Sequence, residues 1–458
     1  MTGRQNEQPL ASRAATSRFL LVIDKVRSLL RWVLRGERNV STSLEALSVN
    51  LRSVQAKVAW AEERLAALEL TEDGQAGLEQ RRAADAWVIP DKQSTNGVNL
   101  VGYLQRQLGI GHIARRLASL LTDNGVPTSS IAFGASASPV SPASIPLAQR
   151  IEFTNTIAVV AADQLPLLGR LHPEIIGSSE RLIAYCFWEL ETLSQPTAAG
   201  AGLADEIWVA TRFVEDAFGG HGVPVRRVPI PIERPVQSDR DPATFLPFHD
   251  RGDRLVFGVV FDHFSVMERK NPLAAITAFS KAFARDSGPL LIVKTLNARM
   301  CAAAHQRLID AAADRPDIAI WDEQLSGPDQ FAFMASFDVL VSLHRSEGLG
   351  LHLAEAMWMG VPVIATGYSG NMDFMDEDCA QLVGYSMTSV SGGDGIYPDG
   401  ARWAEPDIDH AAELMARMAR DSNERRRIGA AGRSRMEQQP SDSATARRVA
   451  DLLHIRAI

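Results

Sequence analysis

Two carboxylates, Glu347 and Glu355, stand eight residues apart in Arg345-Ser-Glu-Gly-Leu-Gly-Leu-His-Leu-Ala-Glu-Ala-Met357. The stretch leaves one apolar run, Phe337 to Leu343, and enters another, Gly360 to Ala365. That pattern predicts a strand over 337–343, a glycine turn, a helix over 350–358 and a strand over 361–365. The free amides and positive dipole end of such a helix attract an anion, and Gly348 and Gly350 let a phosphate come close. Leu349 and Leu351 would then lend their amides to the same loop. A carboxylate directly in front repels a phosphate unless another group needs it, and a sugar hydroxyl is such a group. Glu347 could therefore meet a sugar while Glu355, about two turns into the helix, meets a ribose diol. A capping carboxylate followed by an ordinary exposed helix glutamate fits the spacing equally well.

The elements around this turn recur. Strands are expected at Asn99–Tyr103, Ile157–Ala161, Arg181–Phe187 and Glu206–Ala210, with Gly109-Ile-Gly111 and His112 leading into a helix to Asp123. A proline-rich passage, Pro224 to Pro247, marks a junction. Beyond it come strands at Leu255–Phe261, Pro289–Lys294 and 317–320, and helices at Pro272–Arg285, 302–313, 328–335 and from about 409. Two βα arrays predict two Rossmann-like, doubly wound domains, 97–240 and 250–435, facing a cleft lined by strand-end loops. A last helix is expected at 436–458.

The chain has 458 residues, 46% apolar and 22% charged, ordinary for a globular chain of two or three domains. A net charge of −8 gives no reason to expect nucleic acid. Three separated cysteines, Cys186, Cys301 and Cys379, match no metal spacing and suit a reduced, cytoplasmic setting. No signal-peptide pattern and no run of 18 uncharged apolar residues occurs, so neither export nor a membrane span is expected.

The N-terminal region follows other rules. Residues 18–35, within a segment 1–40, form a basic amphipathic pattern that suits peripheral contact with the inner membrane face or packing on protein. From Leu44 to Leu68, within 41–70, apolar residues recur at steps of three and four, a short coiled-coil seam suited to homo-oligomers or to covering a neighbouring domain. Residues 71–96 read as a linker.

Residues Ser342 to Asp373 resemble the donor-binding signature of family 4 retaining glycosyltransferases, in which the E-x7-E glutamates match Glu347 and Glu355. Phe261 to Pro272, Tyr185-Cys-Phe-Trp-Glu-Leu-Glu191 with Asp205 to Trp208, and Trp403 to Asp407 are similar to the bacterial surface-polysaccharide branch of that family. Together the similar stretches cover about 97–440. The resemblance implies a GT-B fold, a nucleotide diphosphate sugar donor held by the second domain, and a glycan or lipid-linked glycan acceptor in the first. It makes Lys270 the phosphate lysine, with Arg269 as a neighbour that could share the task. Where the family commonly has an arginine, this chain has Phe264 and Ser265, so the second cation must stand elsewhere. Lys294, at the carboxyl end of an apolar strand, is the candidate and Arg345 the reserve. Gly109 and Gly111 match the family's glycine loop near sugar and acceptor; Asp163 or Gln164 stands in for an absent histidine, and Asn371 and Asp373 could touch the sugar.

The resemblance further implies front-face substitution with retention, Glu347 and Lys270 serving the reaction and no obligatory divalent ion or other cofactor. A GT-B phosphorylase, an epimerase and a non-catalytic sugar-nucleotide-binding scaffold are the alternatives. A dehydrogenase is disfavoured, because Gly109-Ile-Gly-His-Ile-Ala114 matches the dinucleotide fingerprint only in part.

Overall fold

The computed structural model describes residues 93–456 apart from 107, 134–144, 149, 242–246, 248–251, 392–396 and 399. The patterns at 18–35 and 44–68, and nearly all of the 71–96 stretch, lie outside the described residues.

Six parallel strands form the first sheet: β1 (Ser94–Gly102), β2 (Thr128–Ala132), β3 (Phe153–Val159), β4 (Arg181–Cys186), β5 (Glu206–Val209) and β6 (Val225–Arg227), in the order β2-β1-β3-β4-β5-β6. The central strand β3 is buried along its length, its polar Thr154, Asn155 and Thr156 included, because both faces of such a parallel sheet are covered. The helix α1 (Gly109–Asp123) follows β1 and buries Ile113, Leu117, Leu120 and Leu121 against the sheet.

The second sheet is also parallel: β7 (Val256–Val260), β8 (Leu290–Thr295), β9 (Ile318–Asp322), β10 (Val339–Ser342), β11 (Val363–Thr366) and β12 (Gln381–Val383), in the order β12-β11-β10-β7-β8-β9. This is the doubly wound order that reverses direction between its first and fourth strands. That reversal sets the site: the loop after β7 leads to the short helix α2 (Met267–Lys270), and the loop after β10 leads to α3 (Leu351–Met359). A crevice at the carboxyl ends of two strands that diverge to opposite sides is where such sheets bind ligands. A hairpin, β13 (Tyr385–Ser389) with β14 (Arg402–Pro406), closes one flank.

Three boundaries differ from the sequence expectation. β1 begins at Ser94, inside the stretch read as linker to residue 96, because Ser94 donates its amide to Glu152 O at 2.9 Å. β6 lies inside the proline-rich passage read as the junction; an edge strand needs only one side of its backbone paired, so flanking prolines are tolerated there. The last helix, expected over 436–458, runs from Asp442 to Leu452. This helix, α4 (Asp442–Leu452), returns to the first sheet, where Ala446, Val449 and Ala450 share a core with Val98, Leu100 and Leu117. Buried Arg116 on α1 fixes this return, pairing with Asp442 and donating to Pro231 O at 3.0 Å. Among the described residues no helix is long and apolar enough to cross a membrane.

Candidate active site

The loop after β10 has a built shape. Gly350 takes a left-handed backbone, φ 84°, as the residue before α3, a conformation in which a β-branched or bulky residue is strained. Gly348 lies so close to Trp188 O that an added Cβ would sit 2.8 Å away, and its own carbonyl accepts from Thr211 Oγ1 at 2.8 Å. Both contacts come from the first domain. Leu349 and Leu351 pack half-buried against the first-domain core that Ile110 and Phe187 also flank. The loop is thus held from both sides while the amides of Gly348, Leu349, Gly350, Leu351 and His352 carry no hydrogen bond among the described residues. Unpaired amides converging at a helix start form an anion site.

Glu347, which precedes them, is buried; its amide donates to Ser369 Oγ at 2.8 Å. Its Oε1 accepts from Lys270 Nζ at 2.5 Å and its Oε2 stands 3.3 Å from Arg269 Nη1. Burial alone would raise the carboxyl's pKa, but Lys270 and Arg269 outweigh it and hold the group well below the usual carboxylate range. Burial pulls Lys270 down from its ordinary value while Glu347 pulls the other way.

Arg269 is the second cation beside Glu347. It is 5% exposed, donates to Ser346 O at 2.9 Å and lies 3.7 Å from Glu189 Oε1 of the first domain. Burial opposes its charge; Tyr397, Glu189 and Glu347 together raise its pKa above the ordinary value. Lys294 does not join this cluster, contrary to the expectation from its strand-end position. Its ammonium donates to Glu323 O at 2.8 Å and stands 5.9 Å from the Trp321 ring centroid, and burial lowers its pKa to about 8. Arg345, the reserve cation, is also committed: it is bidentate to Glu405 at 2.6 and 2.9 Å, donates to Glu268 O at 2.6 Å and covers the Trp403 ring. It braces the loop that presents Arg269 and Lys270.

Glu355 lies on α3, half-buried, with no hydrogen bond or ion pair among the described residues. Burial alone pushes its carboxyl up to about 8. Ser265 closes the 3-10 turn His263–Ser265 in the loop after β7, half-buried. The two polar residues expected to touch sugar are occupied. Asn371 is fully buried, bonding Thr366 O at 3.1 Å and His344 Nε2 at 3.1 Å, and so fastens the turn after β11 to the loop after β10. Asp373 accepts from the Arg212 amide at 3.0 Å and pairs with Arg227 at 3.3 Å, joining the two domains.

In the first domain, Gly109 begins α1 in open space, whereas Gly111 packs so tightly that a Cβ would meet Tyr103 O at 2.6 Å. Asp163 falls in the 3-10 turn Ala162–Gln164, its side chain outside the described atoms. Both turns follow β1 and β3, the pair at which the first sheet reverses. Sequence reasoning assigned no role to Glu189, Ser369 or Tyr397. Glu189 sits in the Phe187-Trp-Glu-Leu-Glu191 run after β4, where two acids in a strand-end loop were the available signal.

Residues 266–386 match the family described as Glycosyl transferases group 1. The matched segment contains Lys270, Glu347 and Glu355. Among solved structures, sucrose-phosphate synthase from Thermosynechococcus elongatus aligns with a TM-score of 0.57 at 13% identity, over 79% of this chain and 98% of that one. Anabaena HepE in complex with UDP and glucose aligns at 0.55 and 14% identity, over 78% and 99%. WaaG, a glycosyltransferase involved in lipopolysaccharide biosynthesis, aligns at 0.50 and 15% identity, over 80% and 99%. The chain spans 55% of the length of Staphylococcus aureus TarM, with a TM-score of 0.47. A search of curated protein sequences found no match. Two Rossmann-like parallel sheets in this arrangement are the GT-B fold.

Proposed function

We propose that the chain is a retaining glycosyltransferase that moves a hexosyl group from a nucleoside diphosphate sugar to a glycan or lipid-linked glycan acceptor in cell-surface polysaccharide synthesis. One observation carries the reading. Glu347, bonded to Lys270 at 2.5 Å, stands directly before the unpaired amides of residues 348–352, and the unpartnered Glu355 follows on the same helix. The amides and Lys270 suit a diphosphate, Glu347 a sugar hydroxyl and Glu355 a ribose diol. HepE, a structural neighbour, was solved with UDP and glucose, which agrees with a nucleotide sugar here.

In this scheme the bond between the anomeric carbon and the β-phosphate oxygen breaks while the acceptor hydroxyl attacks the same face. The hydroxyl proton passes to the departing phosphate oxygen. Charge growing on that oxygen is met by Lys270 and the amide cluster, which are in position before reaction. Glu347 fixes Lys270 and orients the sugar rather than attacking it.

The test is a thermal-shift screen of UDP-, GDP- and dTDP-sugars followed by NMR of the product. One donor should raise the melting point, less so in Glu347→Ala and Lys270→Ala, and the product anomer should match the donor's. Stabilisation by none of them, or an inverted product, overturns the reading.

A further inference from the structure

Four charged side chains form one alternating chain across the two domains: Glu189, Arg269, Glu347 and Lys270, at successive separations of 3.7, 3.3 and 2.5 Å. Three belong to the second domain; Glu189 alone comes from the first, on the loop after β4. The four formal charges cancel. Arg269 is buried with its Nε unpartnered among the described residues, and the carboxylates that face its guanidinium are Glu347 and Glu189. Glu347 is already shared with Lys270, which makes Glu189 the acid that offsets the surplus cation. Buried Trp188 and Tyr397, whose rings meet edge to face at 6.0 Å, flank the cluster, while the Glu189 side chain keeps 28% of its surface exposed. At such a half-buried position a unit charge still acts over several ångströms, and salt screens part of it.

We propose that Glu189 is a positioning residue that sets the charge of the donor site from the opposite domain. Resting on the transferase reading above, the inference adds what a diphosphate experiences on entering. With Glu189 in place, Arg269 and Lys270 offset two acids, and the arriving diphosphate is held firmly enough to react and weakly enough to leave. Without it the site gains one net positive charge and grips the nucleoside diphosphate product more tightly, so turnover slows at release. Loss of mere structural support would act in the opposite direction, weakening binding.

The experiment is calorimetric titration of UDP, GDP and dTDP into the wild type, Glu189→Gln and Glu189→Asp, with melting temperatures and steady-state transfer on the same samples. Glu189→Gln should bind the nucleoside diphosphate about fivefold to tenfold more tightly. Its kcat should fall, and its affinity should approach the wild-type value as salt is raised to about 1 M. Glu189→Asp, which keeps the charge, should restore wild-type affinity. Unchanged or weaker binding in a folded Glu189→Gln protein overturns the proposal. A folded wild type that binds none of the three nucleotides overturns the transferase reading and this inference with it.

Discussion

Glu347 and Lys270 are 77 residues apart in the chain and 2.5 Å apart in space, each at the mouth of one of the two strands between which the second sheet reverses direction. Glu347 is buried and Lys270 nearly so, 7% and 12% exposed, so the geometry of the pair is set by the strand ends that carry it. A surface ion pair of the same length would contribute far less, because water and side-chain entropy compete with it.

Replacing Lys270 with Met removes the cation but keeps most of the stem. Glu347 retains Arg269, yet loses its nearer partner, and truncating one side of a buried pair destabilises by about 3 kcal/mol. Transfer should fall by roughly 10²- to 10³-fold, the size typical of removing one group that stabilises developing charge. Melting curves and transfer assays on one preparation separate the two losses. An active Lys270→Met protein would remove Lys270 from the mechanism.

Glu355 gives a pH signature. Its carboxyl is raised from 4.5 to about 8 by burial, so between those values the unfolded chain has released a proton that the folded chain still holds. Ionisation then favours the unfolded state, and the Glu355 contribution to stability is intact below about 4.5 and declines as pH rises towards about 8. Glu355→Gln, a neutral isostere, should leave the melting point near the wild-type value at pH 4.5 and raise it at pH 8. The same variant should bind donor more weakly, since the diol loses its strongest acceptor. Equal melting points at both pH values would contradict the burial assignment.

Asp373 behaves as a bridge between domains. Both of its oxygens take the Arg212 amide and one meets Arg227, which leaves little capacity for a sugar hydroxyl. Asp373→Ala should lower stability by about 1 kcal/mol and leave the donor KM within about twofold. A large rise in donor KM with an unchanged melting point would return Asp373 to the sugar site.

The site divides into parts that were legible in the sequence and parts that were not. Glu347, the glycine loop and Lys270 stood out because their chemistry is local: a strand, a turn without Cβ atoms and a helix start are written in consecutive residues. Arg269 was harder. Neighbours on a helix point about 100° apart, and only the way Glu347 spans the crevice lets both Arg269 and Lys270 reach it. That Lys294 donates to the carbonyl of Glu323, 29 residues away, could not be read from its strand-end position. The apolar face of α4 announced a buried helix but not that the first domain would cover it, since amphipathicity does not name the partner surface.

Every group assigned to the donor site lies within residues 265–373, and its polar first-domain contacts among the described residues lie within 188–227. Deleting residues 1–70 should therefore leave donor-induced stabilisation within about 1 °C of the full chain, because the ligand still binds the same native site. Flotation with anionic vesicles should drop if the basic stretch binds headgroups, and light scattering should report a smaller assembly if the heptads associate. Full loss of donor stabilisation in a folded truncation would make the N-terminal region part of the binding fold.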